Sequence, residues 1–135
     1  MMLITAPQRR EQDAHGSGHF GAPRGKRTHS GIDYAVLPGT RIVCPVEGRV
    51  TKLGYPYGDD LSFRYVQVTD HYGYAWRFFY VEPGVAVDDL IPSNSVIGTS
   101  QDLLGRYPGI TPHLHLEIKN SLGNYVDPET LLNDW

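Results

Sequence analysis

The sequence predicts an all-β, β-dominated domain built on an antiparallel sheet, with one short helix at its C-terminal end. Two observations lead there. Gly 15 and Pro 10, spread evenly along 135 residues, cut the chain into short segments. Those segments favour β-branched and aromatic residues, several of them alternating with period two. A chain of this length makes one domain, residues 1–135, with enough core to fold without cross-links.

The elements follow in order. Residues 14–27 are Gly-rich and irregular, and residues 15–21 read as a loop of the kind that carries function on a scaffold. Residues 41–46 form a strand-like run, Glu47-Gly48 a turn and residues 49–53 its return, which predicts a hairpin. Next, Phe63, Tyr65, Gln67 and Thr69 alternate with Arg64, Val66 and Val68, followed by a turn at His71-Tyr72-Gly73 and a return over residues 74–81. Residues 85–98 hold two short apolar stretches, at Val85 and Val87 and at Val96-Ile97, around a polar turn at Pro92-Ser93-Asn94. Residues 113–119 pair with Tyr125-Val126 across Leu122-Gly123-Asn124, and Asp127-Pro128-Glu129 caps and opens the final helix.

Composition removes several function classes. A net charge of −3 and a pI near 6.0 leave no basic excess, and the small cluster Arg24, Lys26 and Arg27 does not make a nucleic-acid surface. Residues 1–13 meet Arg9, Arg10 and Glu11 before any apolar run has formed, so they lack the core of a secretory signal. No later run reaches membrane-spanning length, which predicts a soluble protein without membrane insertion. The single cysteine, Cys44, excludes an internal disulfide and paired-cysteine zinc sites, and reads as a buried structural thiol. Neither H-E-x-x-H nor G-x-S-x-G occurs, and Gly-Ser-Gly at 16–18 is too short for a phosphate loop.

Two constellations carry chemistry. In His113-Leu114-His115-Leu116-Glu117-Ile118 the alternation places both imidazoles and Glu117 on one face of a strand, and the aliphatic residues on the other. Two imidazoles about 6.5–7 Å apart on one face let one bind a metal while the other reaches the water or substrate on it. The bland alternative is a pair of polar surface histidines. In His29-Ser30-Gly31-Ile32-Asp33 a glycine between His and Asp allows a bend that turns both side chains to one point, against the alternative of a loop histidine and a solvated aspartate. His29, Asp33 and His115 together supply three N and O donors, the number that a catalytic zinc takes while keeping a fourth position for water. The remaining histidines, at 15, 19, 71 and 113, leave other combinations open, but these three are flanked by structured turns and strands.

The chain resembles the lysostaphin-like (LytM-type) zinc metallo-endopeptidase family. The matching stretches occur in order: Phe20-Gly21 with Arg24 and Arg27; His29 to Asp33; Pro38-Gly39-Thr40; Pro45-Val46-Glu47-Gly48-Arg49-Val50; Val96-Ile97-Gly98; Pro112-His113-Leu114-His115-Leu116-Glu117; and Val126-Asp127-Pro128. They span about residues 18–132. The resemblance implies that the antiparallel sheet forms a groove with a zinc site at its floor, that His29, Asp33 and His115 hold Zn2+, and that His113 is the base or proton shuttle. It implies an endopeptidase cutting the peptide stems or cross-bridges of bacterial peptidoglycan, a hydrolase of cell-wall degradation.

Two departures stand out. The family usually has a Tyr-x-His-Leu run whose His stabilises the transition state, and here Phe78-Phe79-Tyr80-Val81 puts Tyr80 at that place. A phenol can donate a hydrogen bond to an oxyanion, so Tyr80 is a candidate catalytic substitute, set against the plainer reading of an aromatic on a half-buried strand. Thr111 stands where the family tends to have Gly. Tyr55, Tyr57, Tyr72, Tyr74 and Tyr107 fall in or near turns and are candidates to line a groove. A rival reading is a catalytically weak or inactive wall-binding or regulatory module of the same fold. Tyr80 argues for it and the complete ligand set argues against it. A substrate outside the cytoplasm and a chain without a signal sequence are reconciled by a bacteriophage endolysin or tail-associated enzyme, delivered by other proteins.

Overall fold

The computed structural model describes residues 31–132, together with the backbone of three two-residue strands before them: β1 (Gln8–Arg9), β2 (Pro23–Arg24) and β3 (Arg27–Thr28). The strands that follow are β4 (Ile32–Ala35), β5 (Arg41–Cys44), β6 (Gly48–Gly54), β7 (Tyr65–Asp70), β8 (Ala75–Phe79), β9 (Val81–Pro83), β10 (Leu90–Ile91), β11 (Ser95–Ser100), β12 (His113–Lys119) and β13 (Tyr125–Val126), and the chain ends in helix α1 (Pro128–Leu132). Among the described residues one antiparallel sheet runs β1-β4-β12-β8-β7-β6-β10, with β13 beside β12. A smaller sheet runs β5-β11-β9, and β2 pairs with β3.

The fold is strand-dominated and antiparallel, as the turn-rich sequence predicts. Alternation in each strand builds one core between the two sheets. Ile32, Val50, Val66, Val68, Trp76, Phe78, Leu114, Leu116 and Ile118 come from the large sheet and meet Ile42, Cys44, Val81 and Ile97 from the small one. Burying each such side chain contributes about 1.5–3 kcal/mol, so the aliphatic face of β12 alone fixes which way its other face looks. Cys44 lies within this core, and burial pushes its thiol up to about 12, which makes it an inert structural residue.

The predicted pair 113–119 with 125–126 forms, with Lys119 opposite Tyr125, and the pair 63–69 with 74–81 forms over Tyr65–Thr69 and Ala75–Phe79, with Thr69 opposite Ala75; Phe63 and Arg64 stay outside β7, and Val81 leaves for β9 of the small sheet. Helix α1 starts where Asp127 Oδ1 accepts the Glu129 amide at 3.0 Å. The predicted hairpin across Glu47-Gly48 does not form. β5 pairs with β11 and β6 pairs with β7, in different sheets. Pro45 has no N–H to extend the ladder, and Pro45 and Val46 are buried at the crossing between the two layers, where a solvent-facing turn is excluded. Of the apolar stretches in 85–98, Val96-Ile97 lies in β11, whereas Val85 and Val87 lie outside the strands and Leu90-Ile91 makes β10. The predicted loop over residues 14–27 lies outside the described residues, except where Pro23–Arg24 and Arg27 pair as strand. No helix among the described residues is long and apolar enough to cross a membrane.

Candidate functional site

The site is a consequence of strand register. β12 sits between β4 and β8, and its pairing sets His115 opposite Asp33 on one side and opposite Phe79 on the other. Because neighbours across a sheet share a face, Asp33 is turned to the same side as His115, His113 and Glu117, away from Leu114 and Leu116. All four polar residues are buried, so the alternative of two surface histidines does not hold.

His115 Nδ1 lies 2.8 Å from Asp33 Oδ1, and its Nε2 lies 3.0 Å from Glu117 Oε1. Carboxylates only accept, so a ring flanked by two of them carries both protons as a cation, and as a metal ligand it would release to solvent the proton that faces Asp33. Burial alone would lower the pKa of His115, but its hydrogen bonds to Asp33 and Glu117, with their charge, outweigh burial and raise it to about 9. Glu117 is held in turn by Arg77, whose Nη1 is 3.6 Å from Oε2 and whose Nε donates to Gln67 Oε1 at 2.8 Å. Asp33 and His115 are N and O donors of the type zinc accepts, with a carboxylate orienting the imidazole from behind, so the residues present fit that metal. Among the described residues no group of three His, Cys, Asp or Glu makes a complete metal cluster. The third expected ligand, His29, lies outside the described residues.

His113 differs from its neighbour. Its Nδ1 is 2.8 Å from the Thr111 carbonyl, and since a carbonyl cannot donate, Nδ1 carries the proton. Nε2, 3.6 Å from Asp33 Oδ2, is then the nitrogen left to take up or release a proton. Thr111, marked in the sequence as a departure, thus serves His113 through its backbone.

Gly31 sits at a bend, as predicted, and has a second role. It is not among the glycines in left-handed conformation, but a Cβ there would lie 2.2 Å from the Leu116 carbonyl oxygen of β12. Only a residue without a side chain lets the chain enter β4 this close to β12 and bring Asp33 against His115. Gly31→Ala is expected to lower stability by about 1–3 kcal/mol, a loss that thermal unfolding checks and that an unchanged Tm would refute.

Tyr80 falls between β8 and β9 with φ 68°, a left-handed conformation unusual for a non-glycine residue. Its amide and that of Val81 both donate to the Arg64 carbonyl, which holds the kink where the chain passes from the large sheet to the small one. The kink stands the Tyr80 ring perpendicular to the His113 ring at 5.4 Å. Strain of this sort concentrates at functional sites.

Of the candidate groove tyrosines, Tyr57 meets both Tyr80 and Tyr107, Tyr55 stacks under Arg64, and Tyr72 is exposed in the β7–β8 turn at the far end of β12 from His113. Sequence reasoning did not single out Arg77 or Arg106. Arg77 has a signal in retrospect, since it pairs with Glu117 once β8 is aligned antiparallel to β12. Arg106 has none.

The model of peptidase family M23 matches residues 27–128. Leukocyte cell-derived chemotaxin-2 from Bos taurus is 28% identical over 105 residues, covering 78% of this chain and 69% of that protein. Among solved structures, the catalytic domain of the antimicrobial peptidase lysostaphin from Staphylococcus simulans superposes with a TM-score of 0.68 at 19% identity, over 91% of this chain and 92% of the other. The catalytic domain of the prophage-encoded M23 protein EnpA from Enterococcus faecalis does so with a TM-score of 0.68 at 19% identity, over 95% and 93%.

Proposed function

Because the chain belongs to peptidase family M23, we propose that it is a zinc-dependent endopeptidase hydrolysing peptide bonds in bacterial peptidoglycan. The observation that carries this reading is the Asp33–His115 pair backed by Glu117, with His113 Nε2 beside it. His29, Asp33 and His115 would hold Zn2+. When bound, the metal supplies a Lewis acid that lowers the pKa of water toward neutrality and polarises a carbonyl. His113 accepts a proton at Nε2 from the attacking water and returns it to the leaving amine, its Nδ1 proton fixed on Thr111 throughout. Tyr80 donates a hydrogen bond to the carbonyl oxygen as charge develops there.

The substrate class comes from the family and from the likeness to lysostaphin, named as an antimicrobial peptidase. Phage delivery to the extracytoplasmic wall rests on the likeness to a prophage-encoded protein, and export of this protein by a host pathway with removal of a leader would sink it. A second reading, a wall-binding or regulatory module, is favoured by Tyr80 and by a relative named as a chemotaxin.

The test is metal content of the purified protein with release of new amines from purified peptidoglycan. About one zinc per chain, and amine release abolished by a chelator and restored by zinc, is the expected result. Bound zinc without amine release from several wall types would favour the module, and a protein that takes up no zinc would overturn the ligand assignment.

A further inference from the structure

Gln101, the first residue after β11, is used by neither the ligands nor the base, yet the segments that meet at Tyr80 are tied to it. Its Oε1 accepts the Arg64 amide at 2.9 Å, and its Nε2 donates to the Ser62 carbonyl at 2.7 Å and to Glu82 Oε2 at 3.3 Å. A backbone N–H only donates and a carbonyl only accepts, so these partners fix which end of the side-chain amide is oxygen. The backbone N–H of Gln101 donates to the Tyr80 carbonyl at 2.9 Å, and the Tyr80 N–H donates to the Arg64 carbonyl at 2.9 Å. Three hydrogen bonds thus close a circuit: Gln101 to Tyr80, Tyr80 to Arg64, and Arg64 back to Gln101.

The circuit decides which way Tyr80 points. Phe78 is in the core, and Phe79 is turned to the face of His115, its ring 5.1 Å from the imidazole. Period two would send Tyr80 back to the core side, away from the site. Instead its ring stands against His113 at 5.4 Å, on the same face as Phe79, and only Val81 returns to the core. Two successive side chains on one face require a break in the strand, and φ 68° at Tyr80 is that break. A residue with a side chain does not hold this conformation unaided, because its Cβ crowds the carbonyl oxygen that follows. The circuit holds the peptide on each side of Tyr80, by its N–H on one side and by its carbonyl on the other. The Tyr80 ring then rests on Phe63 and Tyr57, 6.1 and 6.2 Å away between centroids, with the Arg106 guanidinium 3.6 Å over the Tyr57 ring. Phe63 lies between Ser62 and Arg64, the two residues whose backbone the Gln101 side chain binds. One side chain therefore secures both the backbone of Tyr80 and the ring that packs on it.

We propose that Gln101 is a positioning residue that holds Tyr80 in its left-handed conformation and so presents the Tyr80 hydroxyl to the carbonyl oxygen of the bound peptide. The proposal rests on the peptidase reading, with Tyr80 as its oxyanion donor. It supplies what the strand alone does not: a tyrosine turned to the site at a position where alternation sends the side chain to the core.

The experiment uses the full chain. The ring C–H resonances of His113 are recorded for wild type, Tyr80→Leu, Gln101→Met and Gln101→Glu. An aromatic ring standing on the imidazole shifts these resonances, and Tyr80→Leu marks where they lie without it. Gln101→Met keeps the length of the side chain and the backbone bond to Tyr80, and breaks the bonds to Arg64, Ser62 and Glu82. Its His113 resonances are expected to move toward those of Tyr80→Leu, a change that lower stability alone does not produce in a folded protein. If they stay at their wild-type positions, Gln101 does not hold Tyr80 and the proposal falls, whatever the assay gives. The assay measures kcat and KM on soluble cross-linked peptidoglycan peptides, where Tyr80→Phe is expected to lower kcat about 10²-fold, the effect of one oxyanion donor. Gln101→Met should lower it about tenfold with KM and zinc affinity unchanged, and should add nothing to Tyr80→Phe, where no hydroxyl is left to position. Wild-type kcat in either single variant, or losses that multiply in the pair, would overturn the proposal. Gln101→Glu keeps an oxygen for the Arg64 amide and is expected to fall between Gln101→Met and wild type in both readouts. Impairment equal to that of Gln101→Met would show that the circuit through Arg64 does not hold Tyr80. Absence of amine release from the wild type would overturn the peptidase reading and the donor role with it, while the resonances, which need no turnover, decide separately whether Gln101 holds Tyr80.

Discussion

His113→Ala is expected to lower kcat for peptide-bond hydrolysis by about 10²- to 10⁴-fold, the range of a positioned general base, while the protein retains its zinc. The two halves of this expectation come from two features of one strand. His113 and His115 share a face of β12, yet their surroundings differ: His115 has a carboxylate at each nitrogen, whereas His113 has a carbonyl at Nδ1. The first arrangement fits a ligand and the second a base. Removing His113 therefore takes away proton transfer and leaves Asp33, His115 and Glu117 in place. His115→Ala is the contrasting variant, expected to lose metal and activity together. Equal loss of zinc in both would mean that His113 is itself a ligand, a geometry its 3.6 Å separation from Asp33 Oδ2 makes the natural competitor.

Much of this site is legible in the sequence because its logic is local. Period-two alternation over residues 113–118 predicts which residues face the core, and the structure buries Leu114, Leu116 and Ile118 within it. The meeting of Asp33 with His115 is not local: it depends on β4 pairing with β12 in one register across 82 positions, and only the family resemblance anticipates it. The failed hairpin at residues 41–53 shows the limit from the other side. A strand, a Glu-Gly turn and a strand satisfy every short-range rule, but whether the second strand folds back or crosses to another sheet is decided by which layer needs its apolar residues, here Ile42 and Cys44 in one and Val50 in the other. Gly31 reads from sequence as a bend, which it is, but that it is also a close approach cannot be read there, because the partner backbone that forbids a Cβ is remote in sequence. The tyrosine cluster is invisible for the same reason, its hydroxyls being 23 and 50 positions apart.

Trp76→Ala is expected to destabilise the fold by about 3–5 kcal/mol, a large share of the 5–15 kcal/mol typical of a domain, and to lower Tm by roughly 10–20 °C. Trp76 is 1% exposed at the centre of the large sheet, opposite Val68 on β7 and Ile118 on β12. Its Nε1 donates to Asp70 Oδ2 at 2.9 Å, while Asp70 Oδ1 accepts the amides of Tyr72 and Tyr74, so one carboxylate ties the indole to the turn that joins β7 and β8. Alanine leaves a cavity and removes one tie of that carboxylate at once. Trp76→Phe keeps most of the bulk and loses the N–H, and is expected to cost about 1–2 kcal/mol, which separates packing from the hydrogen bond. Denaturant unfolding of the two variants checks the division, and equal losses would mean that the hydrogen bond, not the volume, dominates. The effect reaches the site through register. The ladder that sets Trp76 against Ile118 sets Phe79 against His115 three residues on, and the next residue is Tyr80. A strand that loses its central anchor loses the alignment that holds Tyr80 beside His113, so Trp76→Ala is also expected to lower kcat at temperatures where the protein is still folded.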